Sequence, residues 1–189
     1  MIPLNITNSV TISGLIHHLS RKDNKSYFAF SIRQETSWTD GSTRKDFLNA
    51  RAFSEELREL LAALPENTPI LINGVLRSSK GSGELFLDVT GAKVLTELGD
   101  VVNNVTLSGA VHVIKAQNEG VTGIGKYTRF AVKQDDPVNG KDFIVVRVYD
   151  EDMKKILAGK IDNDPINVLG TLRSSRGSGV NYVMCGKIE

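Results

Sequence analysis

Residues 45–53, Lys-Asp-Phe-Leu-Asn-Ala-Arg-Ala-Phe, alternate between two kinds of side chain. Read with the period of two that a strand imposes, Leu48, Ala50 and Ala52 fall on one face, and Phe47, Asn49, Arg51 and Phe53 on the other. About 96 residues later the pattern returns at 141–149 as Lys-Asp-Phe-Ile-Val-Val-Arg-Val-Tyr. Here Ile144, Val146 and Val148 share the first face, and Phe143, Val145, Arg147 and Tyr149 the second. Between the copies the first face drifts among apolar residues, whereas the Phe and Arg positions of the second stay fixed. The first face is expected to be core. The second carries an aromatic, Arg, aromatic stripe of the kind that stacks bases and pairs phosphates. The alternative is a strand buried on both sides, with its Phe residues as packing.

The remaining elements repeat in the same order. Residues 8–16 and 103–111 alternate as strands with Gly14 and Gly109 at matching positions, where a strand bulges or coils sharply. Polar loops follow at 20–25 and 116–125. Residues 27–33 and 127–133 form second strands, with Phe28, Phe30 and Ile32, or Phe130 and Val132, inward. Tyr27, Arg33, Tyr127, Arg129 and Lys133 then face out. A long loop at 34–44 holds Trp38, the only Trp; its counterpart at 135–140 is shorter and ends in the Asn139-Gly140 turn pair. After the organising strand, Ser54 caps a helix whose Leu57, Leu60, Leu61 and Leu64 recur at helical spacing, and Pro65 ends it. Asp150, then Met153, Ile156 and Leu157, do the same in the second copy. Strands at 70–77 and 166–173, with internal Gly74 and Gly170, lead through hairpins to final strands at 84–89 and 180–185, each followed by a short last segment.

Composition narrows the classes. The 189 residues suit two domains, expected at 1–96 and 103–189 with 97–102 as a linker too short to let them wander. One cysteine, Cys185, excludes an intramolecular disulfide framework. With no apolar run near the ~20 residues of a membrane span and no signal segment, a soluble cytoplasmic protein without membrane association is expected. Net charge is only +1. Acid, however, collects in the two helical segments, so the strands and loops keep a basic excess.

Candidate chemistry centres on the hairpins. Arg77-Ser-Ser-Lys-Gly-Ser-Gly83 and Arg173-Ser-Ser-Arg-Gly-Ser-Gly179 differ only at Lys80 and Arg176. A plain turn does not require two cations at fixed positions, so phosphate contacts are expected from all four basic residues. The run 120–126 has the glycine and lysine spacing of a phosphate-binding loop, but Tyr127 stands where its Ser or Thr is needed and a strand follows instead of a helix. His17, His18 and His112 with one cysteine are too few for a metal site and read as strand-end surface residues. Of the Asp135, Asp136 and Asp142 cluster the first copy shows only Asp46, near Lys45, and lacks the pair, so the cluster reads as a turn rich in Asp. No enzyme, cofactor or metal is expected.

Strand, strand, strand, helix, strand, strand, with coiling glycines in the first and fourth strands, is the order of the OB-fold. The expected class is all-β, with one short helix per repeat and two tandem five-stranded OB-fold barrels. The chain also resembles bacterial and phage single-stranded DNA-binding proteins nearly throughout: Asn8-x-Val10 to Gly14, Phe30-Ser-Ile32, Trp38-x-Asp40-Gly41, 47–53, and Asn73-Gly74-Val75-Leu76-Arg77. That resemblance implicates Trp38, Phe47, Phe53 and Arg77 in the first repeat, and Phe143, Tyr149 and Arg173 in the second. It also implies single-stranded DNA as the partner and a homodimer presenting four barrels. The hairpins are shorter than is typical of that family and hold no aromatic. The sequence ends at Glu189 without the acidic recruitment tail common there, which leaves either a shortened chain or recruitment by another route. The alternative function is an OB-fold protein-interaction module of a primosome or recombination complex.

Overall fold

The computed structural model describes residues 6–19, 26–113, 119–122 and 125–189; the loop at 20–25 and part of the loop at 116–125 lie outside the described residues. The first repeat runs β1 (Asn8–His18), β2 (Phe28–Ser37), β3 (Thr43–Ala52), α1 (Glu55–Ala63), β4 (Pro69–Ser78) and β5 (Leu85–Val94). The second runs β6 (Asn103–His112), β7 (Glu119–Thr122), β8 (Gly125–Asp136), β9 (Gly140–Val148), α2 (Glu151–Ala158), β10 (Pro165–Ser174) and β11 (Asn181–Ile188). In the first, β1 pairs with both β2 and β4, and β3 pairs in parallel with β5, which closes a barrel of OB-fold order. The second closes identically through β6, β8, β9, β11 and β10. The closing ladders are short, two residue pairs each; beyond them the Phe47 and Phe143 amides donate to Ser174 Oγ and Ser78 Oγ of the other repeat.

The period-two pattern and the barrel interior coincide. Leu48, Ala50, Ala52, Ile144, Val146 and Val148 are at most 1% exposed and join one continuous apolar cluster. Ser54 and Asp150 cap the helices, accepting from the Leu57 amide and from the Asp152 and Met153 amides respectively. Each helix packs an apolar edge on its barrel, with Leu61 fully buried from α1 and Met153 and Leu157 contributing from α2. Gly14 is required where β1 turns against β2, since a Cβ there would lie 2.6 Å from the Arg33 carbonyl oxygen. The two separate terminal segments expected in each repeat are single strands. A bulge absorbs one residue of β5 opposite Asn73/Gly74 and one of β11 opposite Leu169/Gly170, so the strand bends without ending. Strand β7 is an addition the alternation did not indicate; it pairs with β8 as a hairpin that includes Gly120 of the phosphate-loop look-alike.

The two repeats also share a sheet. Strands β1 and β6 pair antiparallel, Asn8 opposite Leu107 and Ile12 opposite Asn103, so both barrels belong to one eleven-stranded sheet. Asn8 and Asn103 occupy equivalent positions, which makes the junction a pseudo-two-fold interface within one chain. Its polar groups are satisfied in matched pairs. Asn8 Nδ2 donates to the Leu76 carbonyl and to Gln134 Oε1, and Asn103 Nδ2 to the Leu172 carbonyl and to Gln34 Oε1. Buried Gln34 donates in turn to the Ser13 and Val102 carbonyls, and buried Gln134 to those of Thr7 and Ser108. Desolvated amides of this kind are stable only because each has its partners.

Candidate nucleic-acid interface

The outer faces of β3 and β9 carry matching constellations. Phe47 and Phe143 are 38% and 37% exposed, and each meets a histidine edge-on, His17 at 5.3 Å and His112 at 5.0 Å between ring centroids. Those histidines are held from behind: His17 Nδ1 lies 2.6 Å from Glu66 Oε1, and His112 Nδ1 lies 3.5 Å from Asp162 Oδ1. The His18 amide and the His17 ring, both hydrogen-bonded to Glu66, hold its carboxyl below the usual range. Thus His17 and His112, read from sequence as plain surface residues, buttress the two exposed Phe rings. Their equivalence in the repeat was visible; their closeness to β3 and β9 required the barrel to close.

Arg51 and Arg147 stand beside rings rather than alone. The Arg51 guanidinium lies 4.7 Å from the Tyr27 ring centroid and 4.1 Å from that of Phe86, and donates to Ser79 Oγ at 2.9 Å. Arg147 lies 4.5 Å from Tyr127 and 3.8 Å from Tyr182, and donates to Ser175 Oγ at 2.7 Å. Phe53 packs on Tyr27 and Phe86, and Tyr149 on Tyr127, with the Tyr149 hydroxyl accepting from Thr122. Arg129 sits opposite Arg147 in the β8–β9 ladder, half-buried. Phe86 and Tyr182 were absent from the sequence-derived set. The signal was an aromatic at the same place in both final strands, out of phase with Leu85 and Leu87 in the first. Burial pushes the Tyr182 phenol above its ordinary value, so it stays a neutral hydroxyl.

Arg77 and Arg173, expected to meet phosphates, also have carboxylate partners within the protein. Arg173 Nη1 donates to Asp46 Oδ2 at 3.0 Å, across the junction, and Asp46 is fully buried. Asp46 Oδ1 also accepts from Ser174 N and Oγ and from Arg44. In mirror fashion Asp142 accepts from Ser78 N and Oγ and lies 3.6 Å from Arg77 Nε, while Arg77 also reaches Asp88 and Asn139. Burial raises the Asp88 carboxyl pKa despite that nearby guanidinium. The hairpins therefore cross between barrels: Ser174 Oγ accepts from the Phe47 amide, and Ser78 Oγ from the Phe143 amide. Lys80 and Arg176, at the tips, remain exposed.

This crossing shapes two clefts. One, of about 470 Å³, lies over the first barrel; His17, Phe47, Arg51 and Phe86 form its floor and Ser178 to Val180 of the second hairpin its wall. The other, of about 650 Å³, lies over the second barrel between Tyr127, Arg147, Tyr182 and Arg176 on one side and Trp38 to Arg44 on the other. Trp38, 42% exposed, thus faces the opposite repeat. Among the described residues, no group of three or more His, Cys, Asp or Glu could hold a metal ion, and no helix is long and apolar enough to cross a membrane. Buried Cys185 has its thiol pKa pushed up by burial to about 11.

The same two-barrel arrangement is found in solved structures. The single-stranded DNA binding protein of Thermus aquaticus superimposes with a TM-score of 0.74 at 16% identity, over 97% of this chain and 92% of that one. A deletion mutant of the same protein gives 0.72 at 16%, over 97% and 94%. The N-terminal domain of PriB from Thermoanaerobacter tencongensis covers 48% of this chain and 98% of its own, at 24% identity and a TM-score of 0.36. No protein-family model and no curated protein matches the sequence. In fold the chain is therefore SSB-like, two OB-folds in one polypeptide.

Proposed function

We propose that the chain binds single-stranded DNA with little sequence preference and protects it during replication, recombination or repair, without enzymatic activity. The observation that carries this reading is the duplicated platform: an exposed Phe on β3 and β9, propped by a histidine, next to an Arg set against two aromatic rings. Stacking of this kind accepts any base because every base has a π face, and it requires bases that are already unstacked. The Thermus structures lend support, since they are of a protein named as a single-stranded DNA binding protein. A strand crossing from one cleft to the other passes the hairpin tips, where Lys80 and Arg176 meet phosphates. Arg77 and Arg173 also hold the hairpins in place through their carboxylate partners. Two chains associate to present four barrels.

The test replaces Phe47 or Phe143 by Ala and measures affinity and melting temperature on the same samples. Each change should weaken single-strand binding by ~1–3 kcal/mol through a lost stack. Stability should fall by less than ~1 kcal/mol, because rings this exposed leave no sealed cavity. Large melting losses with unaltered affinity would assign the rings to packing.

A further inference from the structure

From the cleft between Trp38 and Tyr182 we infer that the two barrels bind single strands unequally, and that the tighter site lies on the second repeat and is completed by the first. The inference rests on the single-strand reading above and adds which groove dominates and why. Each hairpin and each β3-type strand is duplicated, but the loop entering the neighbouring groove is not. In the first repeat that loop is a preformed turn: the Trp38 amide donates to the Ser42 carbonyl, the Gly41 amide to that of Trp38, and Asp40 accepts from the Ser42 amide and hydroxyl. Gly41 has φ of +83°, a left-handed conformation that holds the turn tight.

The turn is anchored at its base. Arg44 donates to the Ser174 carbonyl at 2.9 Å and reaches the Tyr182 hydroxyl at 3.4 Å, so its position is fixed by the second repeat. The result is a cleft with exposed Trp38 on one side and Tyr127 on the other, above buried Tyr182, and with Arg147 and Arg176 as cations beside Arg44, whose charge Asp46 already pairs. That set suits a nucleotide unit, a ring to stack and a phosphate to neutralise.

At the equivalent position over the first barrel, the β8–β9 turn offers Pro137, Val138 and Asn139. It has no aromatic, and Gly140 stands in the ladder where Arg44 stands in the other. Val138 is 90% exposed and the turn is held by Asp136, which accepts from the Val138 and Asn139 amides. The first groove thus relies on Phe47, Arg51 and their neighbours, with Glu84 at its border. One aromatic surface, Trp38, distinguishes the second site, with Arg176 as a further lining cation. A single base–aromatic stack corresponds to about five- to a hundredfold in affinity.

Trp38 is the only Trp, so its fluorescence reports the second site alone. An oligothymidylate of about eight nucleotides, within the range one barrel covers, is titrated by fluorescence and by calorimetry under the same conditions. Two sites should appear by heat, separated by about five- to a hundredfold, with Trp38 quenching complete within the first equivalent. In Trp38→Ala the tight phase should weaken to near the other, while Trp38→Phe retains part of the difference; Phe47→Ala should weaken only the looser phase. Two equal sites, or quenching confined to the looser phase, would overturn the inequality and leave the single-strand reading standing. No heat and no quenching with any single strand would overturn both.

Discussion

Replacing Asp46 by Ala should be among the most damaging single changes to the stability of this protein. The carboxylate is fully buried at the junction of the barrels and accepts from Ser174 N at 2.9 Å, Ser174 Oγ at 3.2 Å, Arg173 Nη1 at 3.0 Å and Arg44 Nη2 at 3.2 Å. Its removal leaves two guanidinium groups, each at most 13% exposed, without their counter-charge. Breaking a buried pair in this way costs ~3–5 kcal/mol. For a chain of this size that corresponds to a fall in melting temperature on the order of 6–20 °C. The pseudo-symmetric Asp142→Ala should cost less, ~1–3 kcal/mol. Asp142 lies nearer solvent, its ion pair is longer at 3.6 Å, and Arg77 keeps Asp88 and Asn139 as partners. Urea denaturation followed by circular dichroism, on both variants and the unaltered chain, measures the two costs. An Asp46→Ala loss under ~1 kcal/mol, or a larger loss at Asp142, would refute the picture of a junction held by buried charge.

The hairpin cations should separate by role. Lys80→Ala with Arg176→Ala should lower the salt dependence of single-strand affinity by roughly 0.7 per lost contact while stability holds; an unchanged slope would make the tips plain turns. Light scattering at micromolar concentration should give the mass of two chains, and a monomer that still binds single strands would remove the four-barrel proposal.

Much of the architecture was legible because a barrel strand states its faces in its own sequence. The division of Leu48, Ala50 and Ala52 from Phe47 and Phe53 is complete in nine residues, and Ser54 and Asp150 announce helix starts by chemistry local to the cap. What the alternation does not state is which strand lies beside which. The β1–β6 pairing, which makes one sheet of two repeats, depends on surfaces that in isolation read as half-polar strands. Nor does the alternation reveal that Asp46, Gln34 and Gln134 are buried, since that burial comes from the second barrel covering them. The same gap hid the partners of Arg77 and Arg173: a cation after a strand and before a glycine-rich tip looks the same whether it meets a phosphate or a carboxylate from the neighbouring repeat. Trp38 was recognisable as a loop aromatic, but its placement over the opposite groove follows from the crossing of the hairpins.

The most direct measurement titrates the full chain into a labelled oligothymidylate of about 30 nucleotides and, in parallel, into a duplex of equal length, at about 0.2 M salt where non-specific attraction is weak. Binding by stacked, unpaired bases predicts single-strand affinity at least ~100-fold above that for duplex, with little change when thymine is replaced by a mixed sequence. Equal affinity for the two forms would contradict it.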